Sequence, residues 1–347
     1  MTEMTQRSAR RTAADTEPMV LAFDVVVMAV QDLSATFRRI TFGGACLEAF
    51  GVAGDSLDLR IKLIIPPAGR ECPDITAMMG RGNWYQLWLG MDAEERGSMR
   101  TYTVRTTRRR GPHTEIDVDF VLHLDDDGRG GPASEWAAAA RPGDRVCMIG
   151  PNASAAQCRT AGAYGGIEWS PGLAQHVLLA GDETAVPAIS AILEALPEDI
   201  SGSAFLEVPD VHDIQQIVTR SAVAITWLAR RGRPHGVLLE AAVRDAVRVP
   251  GWVSLSGPDV MQGGSEPEDV DVDGTILWET PQLLDAAIVQ STVNPGRPSG
   301  TQPFYAWIAG EAAVVRGLRR YLVRDVGVDR KQVAFMGYWR KGRAELA

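Results

Sequence analysis

An antiparallel β-barrel or sandwich followed by a doubly wound parallel α/β sheet is the fold class that three features of the sequence predict. Residues 21–151 hold short runs rich in β-branched residues, broken by Gly, Pro and Asp, before any long helical pattern. After Pro151, continuous apolar runs alternate with helix-period segments, as in a parallel sheet buried on both faces. The length of 347 residues corresponds to about two domains at roughly 150 residues each.

Strands are expected at Phe23–Val30, Phe37–Phe42, Leu57–Ile65 and Ile116–Leu122. In the last of these, Ile116, Val118, Phe120 and Leu122 alternate onto one face. A short helix fits Ala133–Ala140 and is ended by Arg141-Pro142-Gly143-Asp144. Asn152–Gly172 is rich in Gly, Ala and Ser and reads as a loop or linker. The apolar run His176–Ala180 predicts a buried strand, followed by a helix over Thr184–Leu196 that Pro197 closes. Further strands are expected at Ala204–Val208, Ala222–Leu228, Phe304–Ala309 and Val333–Trp339, with helices at Val237–Val247 and Glu311–Val326. Val314, Leu318 and Leu322 give the last helix an apolar stripe, with Val315 beside it. Residues 1–18 read as a disordered tail, and 254–303 as an acidic, Gly/Pro-rich insertion in which Thr275–Glu279 (TILWE) adds a strand.

Composition narrows the function. Hydrophobic residues at 45% and charged residues at 23% are ordinary for a globular chain. A net charge of −9 argues against a nucleic-acid partner, which needs a cationic face, though not against a small basic pocket. Cys46, Cys72, Cys147 and Cys158 form no CxxC pair, so reduced thiols are expected and no metal centre. The N-terminus has no apolar signal core, and no apolar run approaches the ~18 residues of a membrane span. The chain therefore reads as cytoplasmic, with no membrane partner.

Four segments carry candidate chemistry. Arg100-Thr101-Tyr102-Thr103-Val104-Arg105 lies in a strand. A flavin needs a flat surface, a donor near N5 and cations for its pyrophosphate. Tyr102 can stack, Thr103 offers a hydroxyl, and Arg100 and Arg105 offer phosphate-binding forks. An amphipathic edge strand with solvated arginines has the same pattern. Gly130-Gly131-Pro132-Ala133-Ser134 opens the first helix, where unpaired amides and the helix dipole attract an anion. Gly181-Asp182-Glu183-Thr184 lies between a strand and a helix, but it is not GxGxxG, and two carboxylates would repel a pyrophosphate. Helix capping by Asp182 or Thr184 is its other reading. Trp227–Arg233 (WLARRGR) ends a strand with three arginines that either read a 2′-phosphate or form a solvated loop.

RTYTVR, DVDFVLH (Asp117–His123), GPASEWA (Gly131–Ala137) and RPGDRVCMIGP (Arg141–Pro151) resemble the siderophore-interacting protein family. So do GDETAVPAI (Gly181–Ile189), YAWIAGEAAVVR (Tyr305–Arg316) and GYWRKGRAE (Gly337–Glu345), in order along both halves. The family is similar to ferredoxin-NADP reductases. The resemblance implies a Greek-key, FAD-binding β-barrel over 19–152, a linker over 153–172, and an NAD(P)H-binding α/β domain over 173–347. It places Arg100, Tyr102 and Thr103 at the isoalloxazine and adjoining phosphate, with Thr101 and Arg105 of the same strand as further cofactor-binding candidates, and Asp119, Val121 and His123 around the flavin. Ala133 and Ser134 would hold the pyrophosphate, and Gly181, Asp182, Glu183 and Thr184 would face the nicotinamide. Lys62, a charge within an apolar strand, and Arg340 would receive the ferric siderophore. Two departures stand out: Leu124–Arg129 lengthens the turn after His123, and Asn152 stands where a third cation is expected.

The implied activity is a monomeric, FAD-dependent reductase of ferric siderophores using NADH or NADPH, with hydride arriving near Tyr102 and Thr103. The alternatives are a general NAD(P)H:flavin or quinone reductase on the same fold, and a siderophore-binding module without catalysis.

Overall fold

The computed structural model describes residues 17–111, 113–125, 127–247, 278–280 and 304–342. Most of the expected N-terminal tail, most of the 254–303 insertion and the last part of GYWRKGRAE lie outside the described residues.

Seven antiparallel strands build the first sheet. They are β1 (Val20–Asp32), β2 (Phe37–Gly43), β3 (Arg60–Ile65), β4 (Ser98–Thr103), β5 (Thr106–Arg110), β6 (His113–Val121) and β7 (Arg145–Pro151). Their order is β4-β3-β7-β1-β2-β6-β5. The chain leaving β4 turns back on β6, where Arg105 N–H donates to the Asp117 carbonyl at 2.8 Å, so the sheet curls into a half-barrel. Alternation along β6 buries Ile116, Val118 and Phe120 against Phe23, Val25 and Phe42 inside the curl. Three short helices, α1 (Ile75–Met79), α2 (Trp84–Leu89) and α3 (Ala93–Arg96), join β3 to β4. Helix α4 (Pro132–Ala139) joins β6 to β7, and its Trp136 ring stacks on Phe42 with centroids 6.4 Å apart.

After a short helix α5 (Ala156–Arg159), the second sheet follows. It comprises β8 (His176–Gly181), β9 (Ser201–Val208), β10 (Ala222–Ala229), β11 (Trp278–Glu279), β12 (Phe304–Glu311) and β13 (Val333–Trp339), in the order β10-β9-β8-β12-β13-β11. All pairs are parallel except β11 on β13. Helices α6 (Val186–Ala195), α7 (Val237–Ala246) and α8 (Ala312–Arg320) make the crossovers. Strand order reverses between β8 and β12, which opens a crevice beyond their C-terminal ends.

Differences from the expected elements have local causes. The strand expected from Leu57 begins only at Arg60, because Asp58 turns inward and its carboxylate accepts from the Glu168 and Trp169 amides and from Trp307 Nε1. Leu57 takes φ +49° in that turn. The α6 helix begins at Val186 rather than Thr184, because Asp182 Oδ1 accepts from the Thr184 amide and holds a turn there. The helix expected over Glu311–Val326 is regular to Arg320 and then widens into a π-helical turn at Tyr321–Asp325. Trp278–Glu279 forms the strand expected within the insertion, fixed by Arg319 and Arg330 on Glu279.

Candidate functional site

Several polar contacts lock the half-barrel to the α/β sheet. Asp58 reaches Trp307 at 2.9 Å, Ser34 and Thr36 donate to Asp213, and Arg105 grips Glu194 of α6 through both terminal nitrogens at 2.6–2.7 Å. The C-terminal ends of β8, β12 and β13 are thereby held against strands β3, β4 and β6.

A cavity of about 440 Å³ lies in this junction. From β4 it is lined by Arg100, Thr101, Tyr102 and Thr103, from β6 by Asp119 and Val121, and from β3 by Arg60 and Lys62. His123, Gly131, Ala133 and Ser134 complete the half-barrel side. Thr184 and Pro187 enter from α6 and the turn before it, Gly337, Tyr338 and Trp339 from β13, and Trp278 from β11. Most of the residues expected around a flavin therefore share one cavity, although they come from three separate stretches of chain.

The cavity walls are tightly built. Tyr102 packs on Phe120 with ring centroids 4.3 Å apart, and Thr103 is buried at the end of β4. Asp119 is buried and held bidentate by Arg39 at 2.6 and 2.8 Å, with Arg105 at 3.9 Å. Ser134 Oγ–H donates to the Val121 carbonyl, and the same oxygen accepts from the His123 amide, which ties the start of α4 to the end of β6.

Five of the expected site residues do not line the cavity. Arg105 is committed to Glu194, so the phosphate-binding role expected of it passes to a junction role. Gly181 is a packing glycine: an added Cβ would sit 2.4 Å from the Ala185 Cβ. Arg340 lies one residue beyond the lining, where Trp339 takes its place. Asp182 is fully enclosed, accepting from the Glu311 amide and Trp339 Nε1, each at 2.8 Å, and from Thr184. It is a strap across the ends of β8, β12 and β13. Glu183 is bonded to both terminal nitrogens of Arg230 at 2.6 and 2.8 Å, and His123 Nε2 stands 3.5 Å away. Arg230 also reaches Glu207 at 3.3 Å, and Glu207 caps α7 by accepting from the Gly236 and Leu239 amides. Of the three arginines in WLARRGR, Arg230 is thus internal, while Arg231 and Arg233 are exposed.

The two adjacent carboxylates titrate in opposite directions. Burial, then the neighbouring Glu183, pushes Asp182 up to about 6. Burial also opposes charge on Glu183, but the His123 and Arg230 contacts override it and bring that group down to about 2. Burial likewise raises Asp58 to about 6. Asp58 and Asp182 bind protons more tightly folded than unfolded, so their contribution to stability falls as pH rises from about 4 to about 6. Glu183 contributes stability that is lost below about pH 4 as it protonates. Urea midpoints of the unliganded protein are therefore expected to be highest near pH 4–5; a monotonic rise from pH 4 to 7 would contradict this.

The residues fit an FAD diphosphate. Gly131 is the N-cap of α4 at φ −71°, a conformation open to any residue, and a Cβ there would meet no atom within 4 Å. Neither backbone geometry nor protein packing calls for glycine. The open space faces the cavity and the first-turn amides of an eight-residue helix that has no side-chain cap.

Residues 26–155 match the family model described as the siderophore-interacting FAD-binding domain, and residues 174–342 match that of the siderophore-interacting protein. The chain belongs to the siderophore-interacting protein family. It is a flavoprotein oxidoreductase of that family, and FAD is its cofactor. An uncharacterized protein of Mycobacterium tuberculosis is 32% identical over 326 residues, covering 93% of this chain and 91% of that one. The ferric vibriobactin reductase of Vibrio cholerae is 27% identical, covering 91% and 88%. The crystal structure of the siderophore-interacting protein from Aeromonas hydrophila is 26% identical, with a TM-score of 0.55 and 94% coverage of each chain.

Sequence reasoning missed Arg60, Trp278, Tyr338 and Trp339 in the cavity wall. Tyr338 and Trp339 stood inside a quoted motif, but nothing in their spacing showed which side chains face the junction. Trp278 stacks on Tyr338 with centroids 5.9 Å apart, and the Arg60 guanidinium lies 4.3 Å over its ring.

Proposed function

We propose that this protein is a cytoplasmic, monomeric NAD(P)H:ferric-siderophore reductase that releases iron as Fe(II). The observation that carries the reading is the single cavity in which the α4 anion site, the Arg100–Thr103 strip and Lys62 converge. FAD, when bound, supplies the redox chemistry, accepting a hydride and giving up electrons singly.

The chain's own residues bind and orient. The first-turn amides of α4 and the Arg100 guanidinium suit a diphosphate. Tyr102, braced by Phe120, makes a flat wall, and Thr103 offers a hydroxyl in a nearly dry position. His123 is held between Glu183 and the Trp339 ring, 5.7 Å away. The exposed Arg231 and Arg233, at the end of β10, suit the 2′-phosphate that distinguishes NADPH from NADH. Lys62, whose Nζ lies 3.2 Å from Thr101 Oγ1, places a cation where an oxygen-rich ferric chelate would approach. One NAD(P)H carries electrons for two ferric chelates. The Fe(II) formed is a softer, less charged ion that hard oxygen ligands hold less tightly.

Anaerobic mixing tests the reading. NADH or NADPH should bleach the flavin absorbance, and a ferric hydroxamate should restore it while a ferrous-specific chelator captures the product. Protein that takes up no FAD would overturn the proposal, and faster turnover of free flavin than of ferric chelates would favour a general flavin reductase. Lys62→Ala is expected to raise the KM for an anionic ferric chelate about fivefold, from the ~1 kcal/mol typical of one charge contact, without slowing flavin reduction.

A further inference from the structure

A second cavity, of about 760 Å³, adjoins the first and shares Arg60, Lys62 and Thr101 with it. Its walls are mainly apolar: Met19 and Leu21 of β1 and the segment before it, Met79 of α1, Trp84 of α2, and Ile149 of β7. No carboxylate lines it among the described residues. Its cations are Arg60 and Lys62, and Arg60 is ion-paired with Glu168.

Asn152, uncharged and buried, fixes one wall. Its side-chain amide donates to the Pro18 carbonyl at 2.8 Å, and its backbone N–H donates to the Met19 carbonyl at 3.0 Å. The opposite wall is the α1–α2 pair, anchored by Ile75 and Trp88 on the outer face of the sheet beside Ile64 and Met99. The cavity is thus a built, mainly apolar recess that meets the flavin cleft at Arg60, Lys62 and Thr101.

We infer that this recess takes the organic body of the substrate, and that the substrate is a ferric chelate of low net charge carrying an apolar limb, of the tris-hydroxamate class rather than a trianionic tris-catecholate. The inference rests on the reductase reading above. Electrons leaving the flavin cleft require the iron near the shared wall at Lys62 and Thr101, which puts the rest of the chelate against Met79 and Trp84. A trianion would there lose hydration and meet, among the described residues, only two cations, Arg60 and Lys62, one of them already paired with Glu168, an unfavourable exchange. A neutral chelate avoids that cost, and each methylene it buries strengthens binding about fourfold.

Isothermal titration of the oxidised, FAD-loaded protein provides the test. The probes are a linear ferric tris-hydroxamate, the same chelate bearing an acyl chain, and a ferric tris-catecholate. The acylated chelate is expected to bind at least about tenfold more tightly than its unacylated parent, and the tris-catecholate most weakly. Met79→Asp should weaken the acylated chelate more than its parent and so remove most of the acyl preference. Equal binding of the two hydroxamates, or tightest binding of the tris-catecholate, overturns the inference, and the wild-type comparison decides this even if the variant does not fold. Binding is read with no electron donor present. Acyl preference without chelate reduction would therefore overturn the reductase reading, whereas chelate reduction without acyl preference would overturn this one.

Discussion

Arg230→Leu is expected to cost about 3–5 kcal/mol of stability, the usual penalty for removing one partner of a buried ion pair. Arg230 is 5% exposed, Glu183 1% and Glu207 fully buried, so no solvent replaces the lost guanidinium. Glu183 would lose two short charge-assisted bonds and stand beside Glu207 in the same enclosure. With Arg230 gone, burial outweighs the His123 contact that remains, and the Glu183 carboxyl rises above its unfolded value. The variant should therefore regain more stability than the wild type as pH falls from 7 toward 5, because Glu183 then takes up a proton in addition to Asp58 and Asp182. Urea unfolding at several pH values reads both effects, with the slope unchanged if the unfolding unit is the same. Adding Glu183→Gln should recover more than half of the loss. A variant within ~1 kcal/mol of wild type at pH 7 would mean that this network is not the buried strap described.

The same network shows where sequence reasoning stops. The strands of both sheets were legible because burial leaves a period: alternation of apolar and polar residues in β6, whose second face is filled by ion-paired Asp117 and Asp119, and continuous apolar runs in β8 and β12. The stretch from Arg100 to Thr103 and the Gly131–Ser134 helix start were legible because each is a local constellation of few residues. Arg105 and Arg230 were not. Whether an arginine meets a phosphate or a carboxylate depends on Glu194, 89 residues away, and Glu183, 47 away. Nothing in either segment records that distance. By sequence, the carboxylates of GDET suit a nicotinamide contact or a cap; in the fold Asp182 collects donors from the Glu311 amide, Trp339 and Thr184, a junction that exists only once β12 and β13 pair beside β8. Trp278 is the extreme case: its segment is legible as a short strand, but its place in the cavity wall comes from β13 pairing, the stack on Tyr338 and the Arg60 guanidinium over its ring.

Gly131→Asp should separate folding from cofactor binding. At the N-cap of α4, aspartate is a better residue than glycine, because its side chain can accept from the first-turn amides that glycine leaves uncapped. The position has φ −71°, and a Cβ there meets no atom within 4 Å, so neither strain nor a clash opposes the change. Apoprotein stability should hold or rise by a few tenths of a kcal/mol. The diphosphate, however, needs those same amides and that same open space. Its charge-assisted hydrogen bonds to them, at ~1.5–3 kcal/mol each, would be replaced by a fixed negative charge at contact distance. FAD affinity is expected to fall about 100-fold or more. Purified Gly131→Asp protein should then be pale, unfold at or above the urea midpoint of the wild-type apoprotein, and show no NAD(P)H-dependent ferric reduction until FAD is added in large excess. Gly131→Ala, which adds only a methyl group in open space, should keep its flavin to within about tenfold, since it adds no charge. If Gly131→Asp bound FAD as wild type does, the diphosphate could not lie at the start of α4, and the anion site would have to be sought among the arginines of β4 and β5.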